Sequence, residues 1–126
     1  MLLDESQKVS VFIDSSKLVS EVKMYLKERI SKQLLIDDIC TDFGISRTLL
    51  TKRFRQETGT SVMEYFMRIK IDEAKALIRE SPLSFSEISE KLGFAAPGYF
   101  SKVFSKYTGL TPTEYSKYAS KRRIIK

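Results

Sequence analysis

Histidine and tryptophan are both missing from the 126 residues of this chain. Without histidine, the chain lacks the side chain that most often serves as a general base or as a zinc ligand. A single cysteine, Cys40, rules out a disulfide within the chain, and we expect it to be a buried structural thiol. Neither a Gly-rich phosphate loop nor a Gly-x-Ser-x-Gly turn occurs. We therefore expect no catalytic residues, no metal site, no cofactor and no enzymatic activity.

Long apolar runs are missing as well. No stretch approaches the roughly 18 apolar residues of a membrane-spanning helix, and the sequence shows no charged-then-apolar secretory leader. We therefore expect a cytoplasmic protein without a membrane partner. The chain has 22 Lys and Arg against 16 Asp and Glu, a net charge of +6. Such an excess favours nucleic acid or an anionic surface as a partner, but it does not specify a fold.

Two parts of the sequence repeat each other. Residues 39–45 match residues 88–94, residues 50–54 match residues 100–104, and residues 59–65 match residues 109–115. The offset is 49 residues between Gly44 and Gly93 and 50 residues between Gly59 and Gly109, so the second copy has one extra residue in its turn. Each copy has a short helix, a turn with a glycine and a basic helix. This order is typical of a helix-turn-helix DNA-binding motif.

Local signals predict an all-α fold of seven helices, with two helix-turn-helix subdomains joined by one long connecting helix. Ser46 and three Ser/Thr-x-x-Glu capping boxes predict helix starts, and glycines predict helix ends. All three prolines fall at predicted helix boundaries. The predicted segments are 1–15 (linker or N-terminal arm), 16–60 (first helix-turn-helix subdomain), 61–81 (connecting helix), 82–121 (second helix-turn-helix subdomain) and 122–126 (basic tail).

Helical spacing also predicts which side chains point inward. On each basic helix one pair of apolar residues, four positions apart, should face the core: Leu50 with Phe54, and Phe100 with Phe104. The opposite faces carry the candidate DNA-binding residues. These candidates are Arg47, Thr48, Thr51, Lys52 and Arg55 on the first basic helix, and Tyr99, Lys102 and Lys106 on the second. The predicted apolar row of the connecting helix is Val62, Tyr65, Phe66, Ile69, Ala74, Leu77 and Ile78.

From about Leu34 to Tyr118, the sequence resembles the DNA-binding region of the AraC/XylS family of bacterial transcription regulators, most densely between Gly93 and Tyr115. The resemblance implies that the third and sixth helices enter adjacent major grooves of double-stranded DNA. It implies base-contacting positions at Arg47, Thr48, Thr51 and Lys52, and at Gly98, Tyr99 and Lys102. It also implies RNA polymerase as a partner. Many relatives carry an effector-binding or dimerisation domain ahead of this region, and we expect that domain to be absent from this chain.

The second copy departs from the family pattern at its basic helix. The basic helix of each copy is the reading helix, the one expected to contact base edges. Ala96 stands where a polar cap, often Asp, is common, and Gly98 offers no side chain to a base. In the first copy, Arg53 stands where an apolar residue is frequent, as Val103 is in the second. The second copy therefore offers fewer hydrogen-bonding groups to DNA than the first.

We predict a sequence-specific DNA-binding domain of a bacterial transcription activator. A connecting helix of about 20 residues is about 30 Å long, and successive major-groove faces lie about 34–36 Å apart, so one chain could span one helical turn. For each exposed Lys or Arg, phosphate contact and plain solvation stay open as alternatives to base contact. A helical protein–protein adaptor with a basic face is the alternative for the whole chain. Salt dependence, and sequence preference at fixed salt, separate the two functions.

Overall fold

In the computed structural model the chain is described from residue 15 to residue 125, with side chains for residues 16–120. Within these residues the fold is all-α, with seven helices and no strand, which confirms the predicted fold class. No helix in this part of the chain is long and apolar enough to cross a membrane. The helices are α1 Ser15–Glu28, α2 Ile36–Phe43, α3 Arg47–Thr58, α4 Val62–Glu80, α5 Phe85–Lys91, α6 Pro97–Thr108 and α7 Pro112–Ile125.

Three helices begin at reciprocal capping boxes, as predicted. The hydroxyls of Ser61, Ser84 and Thr111 each accept from the backbone N–H three residues later at 3.1 Å. In return, a glutamate Oε1 accepts from the backbone N–H of Ser61 (3.2 Å), Ser84 (2.8 Å) and Thr111 (2.8 Å). The hydrogen bond from the Ser84 N–H also lowers the pKa of the Glu87 carboxyl. Each box thus gives a side-chain acceptor to two backbone N–H groups that would otherwise lack a partner at the helix start.

The described residues form two compact units, which divide within α4. The first comprises residues up to Arg29 together with Leu34–Phe66, and the second comprises Ile30–Gln33 together with the residues from Met67 onward. The segment Ile30–Gln33 thus belongs to the second unit although α1, which precedes it, belongs to the first. The segment boundaries predicted at residues 60/61 and 81/82 lie next to the two ends of α4. As domain boundaries they remain predictions from the sequence.

The first unit is held by apolar side chains from α1, α2, α3 and the start of α4. Leu50 and Phe54 are both fully buried, which confirms the inward face predicted for α3. The Tyr65 ring packs edge-to-face against Phe54, with ring centroids 5.5 Å apart. The buried apolar residues of this unit are Leu18, Val19, Val22, Leu26, Ile39, Ile45, Leu50, Phe54, Val62 and Phe66.

The second unit has a core rich in phenylalanine. Neighbouring ring centroids lie 5.2 Å apart for Phe94 and Phe100, 5.8 Å for Phe100 and Phe104, and 5.6 Å for Phe104 and Tyr115. Tilted and edge-to-face pairs at such distances add to the free energy gained by burial alone. The buried residues of this cluster are Ile71, Ala74, Ile88, Leu92, Phe94, Phe100, Val103 and Phe104.

Two details of the predicted core are wrong. Ile69, like Tyr65, Leu77 and Ile78 of the same predicted row, is only partly buried, whereas Ile71 (1% exposed) and Lys70 (2% exposed) lie inside. The reason is that α4 contributes to two cores, so its buried face is not one continuous row. Cys40 is half-buried rather than buried, and its partial burial raises the pKa of its thiol.

Two predicted segments fall wholly or partly outside the described residues. The predicted linker or N-terminal arm lies there except for Ser15, the first residue of α1. The predicted basic tail continues α7 as far as Ile125, while its side chains and Lys126 lie outside.

Candidate nucleic-acid interface

The first candidate reading helix, α3, is capped at its start and anchored by its apolar pair. Ser46 Oγ accepts from the Leu49 backbone N–H at 3.1 Å, so one of the helix's free amides is satisfied. Gly59, at a φ of 79°, ends the helix, and its N–H donates to the Arg55 carbonyl at 2.8 Å. With Leu50 and Phe54 fully buried, the rotation of α3 about its own axis is fixed.

The opposite face of α3 carries all five candidates of the first copy. Arg47, Thr48, Lys52 and Arg55 are exposed, and Thr51 is half-buried. Arg and Lys donors can reach guanine edges or phosphates, and a Thr offers both a hydroxyl and a methyl to a base. The sequence prediction that these side chains share one outward face therefore agrees with the structure, whereas their contact with DNA stays a prediction.

Arg47 has a neighbour that the sequence analysis did not single out. Its Nε lies 3.7 Å from Asp37 Oδ1 of α2, and the two side chains are 66% and 77% exposed. An ion pair this exposed contributes little to stability, because water and salt screen it. Asp37 therefore leaves Arg47 able to exchange this carboxylate for a phosphate or a base edge.

The second candidate reading helix, α6, begins differently. Its N-cap residue, Ala96, makes no side-chain cap hydrogen bond, and Pro97 occupies the first turn, as predicted. Pro fits there because its missing N–H has no helical partner to lose. The far end repeats the first copy: Gly109 has a φ of 81°, and its N–H donates to the Ser105 carbonyl at 2.8 Å. Phe100 and Phe104 are fully buried and anchor the helix.

The outward face of α6 has fewer hydrogen-bonding groups. Gly98, Tyr99, Lys102 and Lys106 are all exposed, and the Tyr99 side chain is 48% exposed. A methyl group added at Gly98 would meet no heavy atom within 4 Å, so this position is open surface. The Tyr99 ring lies 5.9 Å from the Phe94 ring, centroid to centroid, which ties the one aromatic candidate to the core. These four candidates belong to the second compact unit, and the five of α3 belong to the first.

The sequence analysis gave no role to Lys70, although it is the buried cation of the described residues. Its Nζ donates to the carbonyls of Ile30 (2.7 Å), Lys32 (2.8 Å) and Leu92. Burial lowers the pKa of the Lys70 ammonium to about 8, while hydrogen bonds to carbonyl oxygens favour its charged form. One signal was visible in the sequence: Lys70 lies between Phe66 and Ala74 at spacings of four, on an otherwise apolar row.

The outward faces of α3 and α6 carry cationic and hydroxyl groups, and that of α6 also carries the Tyr99 ring. Such groups are able to hydrogen-bond to nucleic acid or stack on its bases. Among residues 16–120, no group of three or more His, Cys, Asp and Glu side chains is placed to hold a metal ion.

Comparisons with known proteins agree with this arrangement. A family model described as a helix-turn-helix domain matches residues 39–118. The chain is 38% identical over 98 residues to an uncharacterized HTH-type transcriptional regulator, YfiF, of Bacillus subtilis (strain 168), covering 78% of this chain and 31% of that protein. It is 33% identical over 98 residues to the HTH-type transcriptional activator RhaR of Salmonella schwarzengrund (strain CVM19633), covering 78% of this chain and 35% of RhaR. The chain thus spans about a third of the length of these curated relatives.

A solved structure gives the same result for the fold. The structure of a transcriptional regulator from Chromobacterium violaceum, described as an AraC-type DNA-binding domain-containing protein, superposes with a TM-score of 0.74 at 26% identity. The match covers 80% of this chain and 90% of that one.

Proposed function

The chain belongs to the AraC/XylS family of bacterial transcription regulators, whose helix-turn-helix DNA-binding domain it forms, and we propose that it reads one DNA duplex with two helices, α3 and α6, in adjacent major grooves. This domain is a binding module rather than an enzyme. The family match does not favour the alternative of a protein–protein adaptor.

One observation carries the proposal: the same helix-turn-helix unit occurs twice, each time with its second helix anchored by a fully buried apolar pair. Because Leu50 with Phe54, and Phe100 with Phe104, face inward, both helices turn their polar faces to solvent. A helix in this position of the motif is the one that enters a major groove. Two such helices on one chain favour an asymmetric site of two half-sites, without the two-fold symmetry that a dimer needs.

We assign different DNA contacts to the outward faces of the two reading helices. On α3, Arg47, Thr48, Thr51 and Lys52 contact base edges, and Arg55 contacts phosphate. On α6, Tyr99 and Lys102 contact the duplex, Gly98 allows close approach of the backbone, and Lys106 contacts phosphate. The support for this division is the set of groups on each outward face, since base edges need directed hydrogen bonds and phosphates need mainly positive charge.

For the whole protein we propose the role of a transcription activator, because RhaR carries that description. RNA polymerase is then a partner, and an effector-binding or dimerisation domain supplies the signal. A reporter gene placed behind the binding site of this chain, once that site is identified by selection from random duplexes, tests this role. Expression of the regulator should raise transcription, and a fall in transcription would identify a repressor instead.

The experiment that tests two-groove binding begins with selection of binding sites from random duplexes at fixed salt. The selected site should contain two half-sites about one helical turn apart. Insertion of about 5 base pairs between the half-sites turns one of them to the opposite face of the duplex. Insertion of about 10 base pairs restores the face but adds one helical turn of distance, which a connecting helix of about 30 Å should not span, so affinity should fall here as well.

We expect the insertion of about 5 base pairs to reduce affinity to that of a single half-site. Affinity that survives this insertion would contradict the two-groove proposal. Weak salt dependence and equal affinity for all duplexes at fixed salt would contradict specific DNA binding altogether.

A further inference from the structure

The ammonium of Lys70 joins three backbone carbonyls of the second unit. Ile30 and Lys32 follow the end of α1, and Leu92 follows the end of α5. The Leu92 carbonyl lies at the C-terminal end of α5, where a carbonyl lacks a helical partner and carries partial negative charge, and the Ile30 and Lys32 carbonyls lie in the turn after α1. A protonated lysine has three N–H donors, one for each of these carbonyls. With its pKa lowered only to about 8, Lys70 is mostly protonated at neutral pH.

The Leu92 carbonyl lies at the start of the turn that leads into α6. Lys70 Nζ donates to the Leu92 carbonyl on one side of Gly93, and it lies 5.7 Å from the ring centroid of Phe94 on the other side. Gly93 itself has a φ of 74°, and a Cβ there would come within 2.6 Å of the Ser31 carbonyl oxygen. Only glycine therefore allows this turn to lie directly against the backbone that Lys70 also holds.

The turn is connected to the reading face by aromatic contacts. The Phe94 ring packs against the buried Phe100 ring at 5.2 Å and against the exposed Tyr99 ring at 5.9 Å, centroid to centroid. A shift of the Leu92–Phe94 turn would therefore move both the anchor and a candidate contact of α6. The candidates of α3 belong to the other unit.

We propose that Lys70 is a positioning residue for DNA binding by the second reading helix: by tying the Leu92 carbonyl to those of Ile30 and Lys32, it fixes the turn that aims Tyr99 and Lys102 of α6. This inference rests on the proposed function. A purely structural role would instead weaken the whole fold without selecting one reading helix.

A double-mutant cycle separates the two roles. Lys70→Met removes the charge and all three donors at similar length, and Lys75→Met makes the same change on α4 at a half-buried lysine that pairs with Asp72 at 4.0 Å. Each is combined with Lys102→Ala on α6 and, separately, with Lys52→Ala on α3. Dissociation constants are measured on the selected duplex at fixed salt, after circular dichroism has shown that each variant is folded at the temperature used.

We expect Lys102→Ala to raise the Kd about tenfold in the wild-type background and by about threefold or less in the Lys70→Met background, since residues that act together are not additive. The Lys52→Ala effect should be the same in both backgrounds, and Lys75→Met should change neither effect. Lys70→Arg, which keeps the charge and the donors, should restore most of the Lys102 effect.

If Lys70→Met does not fold, Lys70→Gln provides the comparison, because its amide keeps two donors without the charge; the Lys102 effect should then be intermediate. Two outcomes would overturn the inference and leave the proposed function standing. In one, the effects of Lys102→Ala and Lys52→Ala on the Kd are unchanged in the Lys70 variants; in the other, both effects fall together. No effect of Lys102→Ala in the wild-type background would instead contradict DNA binding by α6, and the inference with it.

Discussion

The two helix-turn-helix units are alike at the C-terminal ends of their reading helices and different at the N-terminal ends. At the C-terminal ends, Thr58 and Thr108 donate to the carbonyls four residues earlier at 2.8 and 2.9 Å, and each accepts from a backbone N–H two residues later. At the N-terminal ends, Ser46 caps α3 with its hydroxyl, whereas Ala96 cannot cap α6. The C-terminal ends, which are alike, stabilise the fold. The N-terminal ends, which differ, are the part of a recognition helix that contacts base edges.

This difference separates what the fold requires from what recognition requires. Both helices keep a fully buried apolar pair, because each unit needs its second helix to complete a core. The outward residues are free of that constraint, and they differ: Pro97 and Gly98 of α6 stand where α3 has Arg47 and Thr48. We infer that the first helix discriminates sequence and that the second contributes mainly affinity.

The largest expected effect concerns what the two units share. Leu50→Ala and Phe100→Ala should each lower the free energy of unfolding by roughly 2–5 kcal/mol, because both side chains are fully buried. Urea or thermal unfolding without DNA measures this loss. Leu35→Ala is the matched control, since that leucine is 70% exposed and should change stability little. An unchanged melting temperature for Leu50→Ala would mean that α3 is rotated from the position described.

A smaller effect is expected from the reading face of α3. Lys52→Ala should cost about 1–3 kcal/mol of binding free energy and relax the preference at one base step, as the loss of a base contact does. Arg122→Ala, in the predicted basic tail, should instead weaken binding to all duplexes equally. Titrations of both variants with the selected duplex and with random DNA measure the difference. The same loss on both kinds of DNA for Lys52→Ala would reassign Lys52 to a phosphate.

The smallest effect tests the helix starts directly. Ser46→Ala should lower stability by about 1 kcal/mol, and Ala96→Ser should raise it by up to about the same amount, because a capping oxygen is lost in one unit and supplied in the other. Ala96→Asp should also stabilise the free chain, although its charge opposes nearby phosphate. Melting temperatures without DNA provide the measurement. An unchanged or lower melting temperature for Ala96→Ser would contradict the expectation that the α6 start lacks a stabilising side-chain cap.

The sequence predicted helix bounds well because their signals are local. Ser61, Ser84 and Thr111 find their partners three residues away, so a short window contains both halves of each capping box. The start and end predicted for α3 agree with the structure for the same reason, since Ser46 and Gly59 enclose this helix.

A short stretch of sequence does not reveal the hydrogen bonds of Lys70. Its acceptors lie 40, 38 and 22 residues away in the chain, and only the folded second unit brings them together. The partial burial of Ile69 has a similar cause, because a single helical row does not describe a helix that serves two cores. Arg47 was found on the outward face of α3, whereas its pairing with Asp37 depends on how α2 packs beside it.

Base-by-base substitution of the selected operator tests the difference between the two reading helices most directly. Each position of both half-sites is changed in turn, and the Kd is measured at one salt concentration, so that the phosphate contribution stays constant. The half-site that faces α3 is identified by its loss of preference in Lys52→Ala. Mismatches there should cost about 1–3 kcal/mol each, and mismatches in the half-site that faces α6 should cost less. Equal or larger penalties in the α6 half-site would contradict this account.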